Sequence, residues 1–344
     1  MYIYLAMAFL YLVQDAKGEV PIVFIPWQGT DTDIEHNRFV LMKSNSTMTT
    51  LVQHPCNPDI SMIISNFLYL STDAFHTSVQ PLQIPFNVLQ QSYSAFVTSV
   101  AFVKDAVLLV MNGELLKLDL NTMSMAVASG ISNHVNHVVT APCCYMEDTR
   151  WCRAHDSIVF AFNSEITNDK PMIWWSKDGG HNFVMVNVTI DEDSQGQSVI
   201  SGVFPHPLKN EATLLVQINS STTLMKNFNY LTSQFKDWSE IIPFSTRGEY
   251  VPASQLNYRT ESFICWNEHT IYYSPVAGSA LRPVRFSGQQ NNTHINNGED
   301  ILMVTPGYSG YFLLLTNQQR VFLGREDGMT AEVTEVSFIL IHSY

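Results

Sequence analysis

Four short stretches of this sequence carry side chains of the kind, and at the spacing, that chemistry uses. His134 and His137 in "SNHVNHVV" stand three apart, the separation at which two imidazoles on one helix face can share a metal ion. Cys152 and His155 in "CRAH" offer a thiol beside a base, or half of a zinc site. The run "DEDSQG" at 191–196 gathers carboxylates as a calcium loop does, without the periodic oxygens and distal Glu of an EF-hand. In "IWWSKDGGHNF", Ser176 and Asp178 place a hydroxyl and a carboxylate in a Gly-rich turn followed by Phe183, which reads either as an active site or as a fastener.

The choice between these readings depends on the elements that carry the residues. Short runs of Val, Ile, Leu, Phe and Tyr are bounded by Asn, Gly, Pro and Ser, and no amphipathic helical period is sustained, so the fold is expected to be all-β. On strands, His134 and His137 are oriented differently from a helical pair and read as structural. A repeat runs through the chain. The triplets "FIP", "YLS", "LKL", "WWS", "MKN", "YYS" and "FLG" end at 26, 71, 118, 176, 227, 274 and 324, giving steps of 45, 47, 58, 51, 47 and 50. Most follow an apolar run that ends in Asn and a short turn, with Asn66, Asn112, Asn163, Asn219, Asn267 and Asn317 at that reversal. Asn tolerates left-handed backbone angles and bonds its own backbone, as a tight hairpin requires. Seven copies of about fifty residues predict a single β-propeller domain over 20–344 with about four antiparallel strands per blade.

A propeller also accounts for the acidic turn. Ser176, Asp178, Gly180 and Phe183 fit the Ser-x-Asp-x-Gly-x-x-aromatic pattern called the Asp box. The carboxylate can accept N–H bonds of its own turn, Gly180 can take a positive φ, and Phe183 can pack between neighbouring blades. Worn copies stand at "STDAF" (71–75), "SPVAG" (274–278) and "REDG" (325–328). A sialidase-like glycan hydrolase would share propeller and Asp boxes, but the early Arg-Ile-Pro signature and an arginine triad are missing. A sortilin-like peptide-binding propeller should carry more intact boxes. No catalytic residue, metal or cofactor is expected.

Composition narrows the partners. Charged residues make up 14% of the chain and hydrophobic ones 46%, and the net charge of -13 is spread without a basic stripe, which disfavours nucleic acid. Met1 to Val13, "MYIYLAMAFLYLV", reads as the core of a signal peptide over 1–16 that lacks a basic flank, the alternative being a buried first strand. A signal peptide implies an oxidising compartment, where Cys56, Cys143, Cys144 and Cys152 are candidates for disulfides, with three full pairings open and Cys265 left over. Asn45, Asn187, Asn219 and Asn291 head glycosylation sequons. No later stretch has the eighteen or so apolar residues of a membrane helix.

The landmarks "HPCNPDISMIISNFLYLSTDAF", "FVTSVAFVKDAVLLVMNGELLKLD", "ISNHVNHVVTAPCCYMEDTRWC", "IWWSKDGGHNFVMVN", "ISGVFPHP" and "FICWNEHTIYYS" stand in order over roughly residues 50–330. In this series the sequence resembles the auxiliary subunits of the sperm cation channel CatSper, the delta branch first and the epsilon branch next. The resemblance implies an extracellular β-propeller, followed in the family by further extracellular domains and one C-terminal transmembrane helix that this sequence does not carry. It implies a non-enzymatic scaffold at the flagellar plasma membrane of sperm, partnered by the pore-forming and the beta, gamma and epsilon subunits. Without an anchor, this form would reach the membrane through its partners or be secreted. Cys265 departs from the family pattern and is expected to be buried. Closure of the ring is expected to pair residues 20–30 with 333–341.

Overall fold

The computed structural model describes residues 39–44, 50–54, 57, 59–64, 67–77, 81–85, 95–140, 157–165, 172–188, 198–206, 209–219, 222–232, 234–242, 253–257, 262–275, 279–287, 295, 298–307 and 310–336. Among them every regular element is a strand. After β1 (Phe39–Ser44), a first sheet is built from β2 (Thr50–Gln53), β3 (Ser61–Ile64) and β4 (Leu68–Ser71), and β5 (Gln83–Pro85) follows. The second sheet contains β6 (Ala95–Val103), β7 (Ala106–Met111), β8 (Glu114–Asp119) and β9 (Met125–Val127), with β1 added parallel to β6. The third is β10 (His137–Thr140), β11 (Val159–Phe162), β12 (Met172–Ser176) and β13 (Val184–Asn187). The fourth is β14 (Val199–Pro205), β15 (Glu211–Asn219), β16 (Thr222–Asn229) and β17 (Gln234–Ile241). The fifth is β18 (Ala253–Asn257), β19 (Ser262–Trp266), β20 (Ile271–Ser274) and β21 (Arg282–Pro283). The last comprises β22 (Arg285–Phe286), β23 (Ile301–Gly307), β24 (Tyr311–Thr316), β25 (Val321–Glu326) and β26 (Ala331–Glu335).

These sheets are the blades of a propeller. First strands of consecutive blades adjoin, β6 with β10, β10 with β14, β14 with β18 and β18 with β23. Six of the seven sequence triplets coincide with the third strand of a blade, namely β4, β8, β12, β16, β20 and β25, while residues 24–26 lie outside the described part. Of the hairpin Asn residues described, Asn112 takes the expected positive φ, 50°, and Asn163, Asn219, Asn267 and Asn317 do not; the Oδ1 of Asn112 accepts the Phe96 N–H and that of Asn317 the Asp300 N–H, each at 3.1 Å.

The inner strands of the second to fifth blades are apolar on both sides because each of these blades is sandwiched. In β7, Val107 and Leu109 pack toward the first sheet, while Leu108 and Val110 pack toward the third. Phe160 and Phe162 of β11 meet Leu214, Val216 and Phe228 of the fourth blade, with Phe160 edge-on to Tyr230 at 5.4 Å. Leu215 and Met225 meet Phe263 and Cys265, and Ile264 and Tyr273 meet Phe312 and Phe322. Burial of a Leu or Phe side chain contributes roughly 1.5–3 kcal/mol, so these seams are the main source of stability.

The last blade closes on itself. Glu299 is fully buried and receives Thr316 Oγ1 at 2.5 Å and Arg320 Nη1 at 2.7 Å, while Arg320 also forks onto Glu335 at 2.9 and 2.6 Å. Those bonds hold the Glu335 carboxyl below the ordinary value. Strand β26 has β25 on one edge and β22 on the other, and the Val336 N–H reaches Val321 O. Residues 333–336 make these bonds within their own blade, and the expected pairing with residues 20–30 falls outside the described residues, as do 337–341. Replacement of Arg320 by Met should leave Glu299 charged and unpaired in the interior, lowering stability by about 3–5 kcal/mol, read as a lower urea midpoint at unchanged m-value.

Candidate functional site

The turn after β12 holds the residues with the clearest chemical spacing. Ser176 closes the strand with its side chain buried, and its Oγ donates to Asp178 Oδ1 at 2.7 Å while accepting the Gly180 N–H at 3.0 Å. Asp178 Oδ1 accepts the N–H groups of His181 and Asn182 at 3.1 and 2.9 Å, and Oδ2 accepts Asn182 Nδ2 at 2.7 Å. Burial would raise this carboxyl, but the Asn182 N–H, the Ser176 hydroxyl, the Asn182 amide and the His181 N–H outweigh it and hold it well below the ordinary value. Each of these bonds to the carboxylate comes from its own turn.

The same turn ties two blades together. Phe183, 5% exposed, lies in the seam with Leu108 and Val110 of the second blade and with Trp174 of its own. The Phe183 N–H donates to Ser129 O at 2.9 Å, and the Ser129 N–H donates to His181 O at 3.0 Å, which clips the turn to the strap after β9. Gly180 has φ +82°, and a Cβ there would come within 2.8 Å of Leu108 Cδ2. Gly130 has φ +87°, and its Cβ would fall 2.2 Å from the Phe183 carbonyl oxygen. Lys117, also from the second blade, has its pKa lowered by burial, with attraction to Asp178 working the other way.

Related turns follow the third strands of other blades. Ser71 Oγ donates to Asp73 Oδ1 at 2.9 Å and accepts the Phe75 N–H at 2.8 Å, and Asp73 Oδ2 takes the Thr77 N–H and hydroxyl at 3.1 and 2.6 Å. Asp327 accepts the N–H groups of Met329 and Thr330 at 2.9 and 2.7 Å. Ser274 Oγ donates to Ser279 O at 2.9 Å. Two such turns were missed in the sequence: Asp119 Oδ1 accepts from Asn121 and Thr122, and Asn229 Oδ1 accepts from Leu231 and Thr232. Their signal is an Asp or Asn three residues before a Thr, in "DLNT", "NYLT" and "DGMT", without the box's Ser and Gly.

The other sequence candidates do not converge. His134 is exposed and faces Gly113, whose Cβ would sit 2.1 Å from its Nδ1, whereas His137 stacks on Phe162 at 5.1 Å and bonds Ser164 Oγ through Nε2 at 2.9 Å. Ser164 Oγ also accepts Asn136 Nδ2 at 3.1 Å, so this His–Ser pair clamps β10 to the β11–β12 turn; burial lowers the His137 pKa. Among the described residues no three His, Cys, Asp or Glu side chains gather as a metal site. The arginines of that part are Arg282, Arg285, Arg320 and Arg325, all on the last two sheets, with Arg325 over the Tyr311 ring at 5.6 Å. Cys56, Cys143, Cys144, Cys152, His155, Asn45, Asn291 and residues 191–196 lie outside the described part. Asn187 ends β13 and Asn219 ends β15. Cys265 is fully buried as a free thiol, and burial pushes its pKa up. A cleft of about 570 Å³ between the β7–β8 turn, the strap at 127–134 and the start of β14 carries Glu114 and Glu165 and is lined by Trp174.

Replacing Asp178 with Ala should cost about 1–3 kcal/mol at neutral pH, because turn N–H groups lose an acceptor. Folding lowers this carboxyl's pKa, so its contribution is complete above the ordinary value of 3.8 and is lost as the pH falls below it. The difference between parent and variant midpoints in urea should therefore be constant above about pH 5 and shrink below about pH 4. Gly130→Ala should cost about 1–3 kcal/mol through its positive φ and the Phe183 carbonyl. Combined with Asp178→Ala it should cost less than the sum of the two, since both loosen one clip, which a double-mutant cycle measures.

Comparison with known proteins follows the same architecture. Among solved structures, a chain of the Mitotic Checkpoint Complex has a TM-score of 0.56 at 11% identity, covering 92% of this chain and 86% of that one. U3-55K has 0.55 at 8%, covering 87% and 84%. These likenesses speak for the fold alone. In sequence, the cation channel sperm-associated auxiliary subunit delta of Rattus norvegicus is 24% identical over 296 residues, 84% of this chain and 35% of the relative. The Macaca fascicularis subunit is 32% identical over 138 residues, 40% of this chain and 17% of the relative. The chain thus spans about a third or less of the length of these relatives. The sequence profile of the CATSPERD β-propeller domain matches residues 40–339, nearly the whole described ring, and the chain therefore belongs to the CATSPERD β-propeller family.

Proposed function

We propose that this chain is a non-enzymatic, extracellular scaffold module of the CatSper channel complex of sperm, working through surfaces it shares with the pore-forming and the beta, gamma and epsilon subunits. The observation that carries this reading is the fate of the chemistry-bearing turn. Ser176 and Asp178 spend their bonds on the turn's own N–H groups, and the turn in turn is clipped to the neighbouring blade. A hydrolase would need such a carboxylate free to meet substrate. The family supports the channel assignment, since its named relatives are auxiliary subunits of that channel.

On this reading the chain passes through the secretory pathway, with residues 1–16 as signal peptide, disulfides among Cys56, Cys143, Cys144 and Cys152, and glycans on the four sequons. Asn187 and Asn219 suit that role by position, each standing at the end of a strand. Support of assembly, and through it of sperm motility, is the consequence.

The test is co-purification of the tagged chain, expressed through the secretory pathway, with the beta, gamma and epsilon subunits, with glycosidase treatment of the same sample. A glycosylated chain that captures at least one of these subunits, and that does not hydrolyse a fluorogenic sialoside, is the expected result. A chain that captures none overturns the scaffold reading for this module. Sialoside turnover that survives Asp178→Ala purification controls overturns the non-enzymatic one.

A further inference from the structure

The cleft at the β7–β8 turn shares none of its lining with the Asp178 turn, and its walls are built from fixed pieces of three blades. The strap at 127–134 is tied to the second blade at both ends, by the Ala128 N–H to Leu115 O at 2.9 Å and the Val135 N–H to Gly113 O at 3.0 Å. The His134 ring lies against Gly113. In the third blade, Asn163 Oδ1 accepts the Glu165 N–H at 2.9 Å, and Asn136, just past the strap, donates to Ser164 Oγ at 3.1 Å. Met172 and Trp174 of β12 and Val199 of β14 complete the lining. A volume of about 570 Å³ suits a small ligand or a few residues of an inserted chain.

The chemistry of this lining is unbalanced. Glu114 and Glu165 bring two carboxylates, no described lysine or arginine lines the cleft, and neither carboxylate has an ion-pair or hydrogen-bond partner among the described residues. With His134 they do not gather as a metal site, so one ion would not satisfy them. Trp174 adds an unmet donor: it is 1% exposed, and its indole Nε1 has no acceptor. Buried donors left in that state are costly and few. Leu115, Ile131, Met172 and Val199 make the rest of the lining apolar. We propose that the cleft binds an arginine side chain and the adjoining backbone of an extended segment of a partner protein. The guanidinium, a planar fork of donors, answers Glu114 and Glu165, and its methylene stem lies on the apolar lining. A backbone carbonyl beside it gives the Trp174 N–H its acceptor. Nε1 is itself closed to solvent, so the indole turns toward the segment as it binds, a movement that tryptophan emission reads. The inference is independent of the channel role, because it concerns what the cleft takes and not which protein supplies it.

Calorimetric titration of the full chain with the blocked peptide acetyl-Gly-Arg-Leu-Gly-amide tests it. The peptide should bind at least about tenfold more tightly than its citrulline counterpart, which keeps the shape of arginine without the charge. Glu114→Gln with Glu165→Gln, at exposed positions that leave the urea midpoint unchanged, should remove that preference. The change in tryptophan emission on binding should vanish in Trp174→Phe. Absence of binding at millimolar peptide overturns the proposal, and so does equal binding of the two peptides. A preference that survives the double Glu substitution overturns it as well, since the attraction would then belong to the net charge of the chain as a whole. An emission change that survives Trp174→Phe overturns the role given to that indole. Calcium that displaces the peptide where sodium chloride of equal ionic strength does not would give the cleft to a divalent cation, and overturns the arginine reading.

Discussion

The burial of both sheet faces in the second to fifth blades is the constraint on which this structure depends. A strand such as β7, with Val107 and Leu109 turned one way and Leu108 and Val110 the other, has no face to give to water. It is stable only while a blade stands on each side. Stability is then shared along the ring as a chain of seams, each seam depending on its neighbours, much as in other repeat architectures. The aromatic contacts sit at these seams: Phe160 with Tyr230 and Phe204 with Phe263 each join side chains from two successive blades.

Polar groups follow from that demand. Many hydrogen-bonding side chains stand at strand ends, and there they serve the backbone. Asp73, Asp119, Asp178, Asn229 and Asp327 all accept N–H groups of the turn after a third strand. The turn at Asp178 adds a clip between the Phe183 N–H and Ser129 O, so one local motif reaches across a seam. Residues that look catalytic by type are in this way drawn into structure.

Much of the fold was legible because its signal is repeated. Apolar triplets after an Asn reversal mark third strands, and the triplets at 69–71, 116–118, 174–176, 225–227, 272–274 and 322–324 all coincide with one. The box at 176–183 was legible because it keeps Ser, Asp, Gly and the aromatic together. Asp119 and Asn229 were not, since an Asp or Asn before Thr is common in any loop and only the strand ends around it give it meaning. The parallel pairing of β22 with β26 was hidden. The strand Arg285–Phe286 is only two residues long, too short to leave a pattern, and Phe286 packs edge-on to Phe322 beside it. The spacing of His134 and His137 suggested a pair, yet the strand boundary at His137 separates their surroundings.

Cys265 sits in the seam between the fourth and fifth blades, among Leu215, Met225, Ala253 and Phe263, with no surface open to solvent and burial disfavouring its thiolate. Reagents attack the thiolate, so this sulfur is chemically silent while the seam is shut. Its alkylation can proceed no faster than the two blades part. The chain thus contains, in the seam between its fourth and fifth blades, a native clock whose rate reports how often the ring breathes.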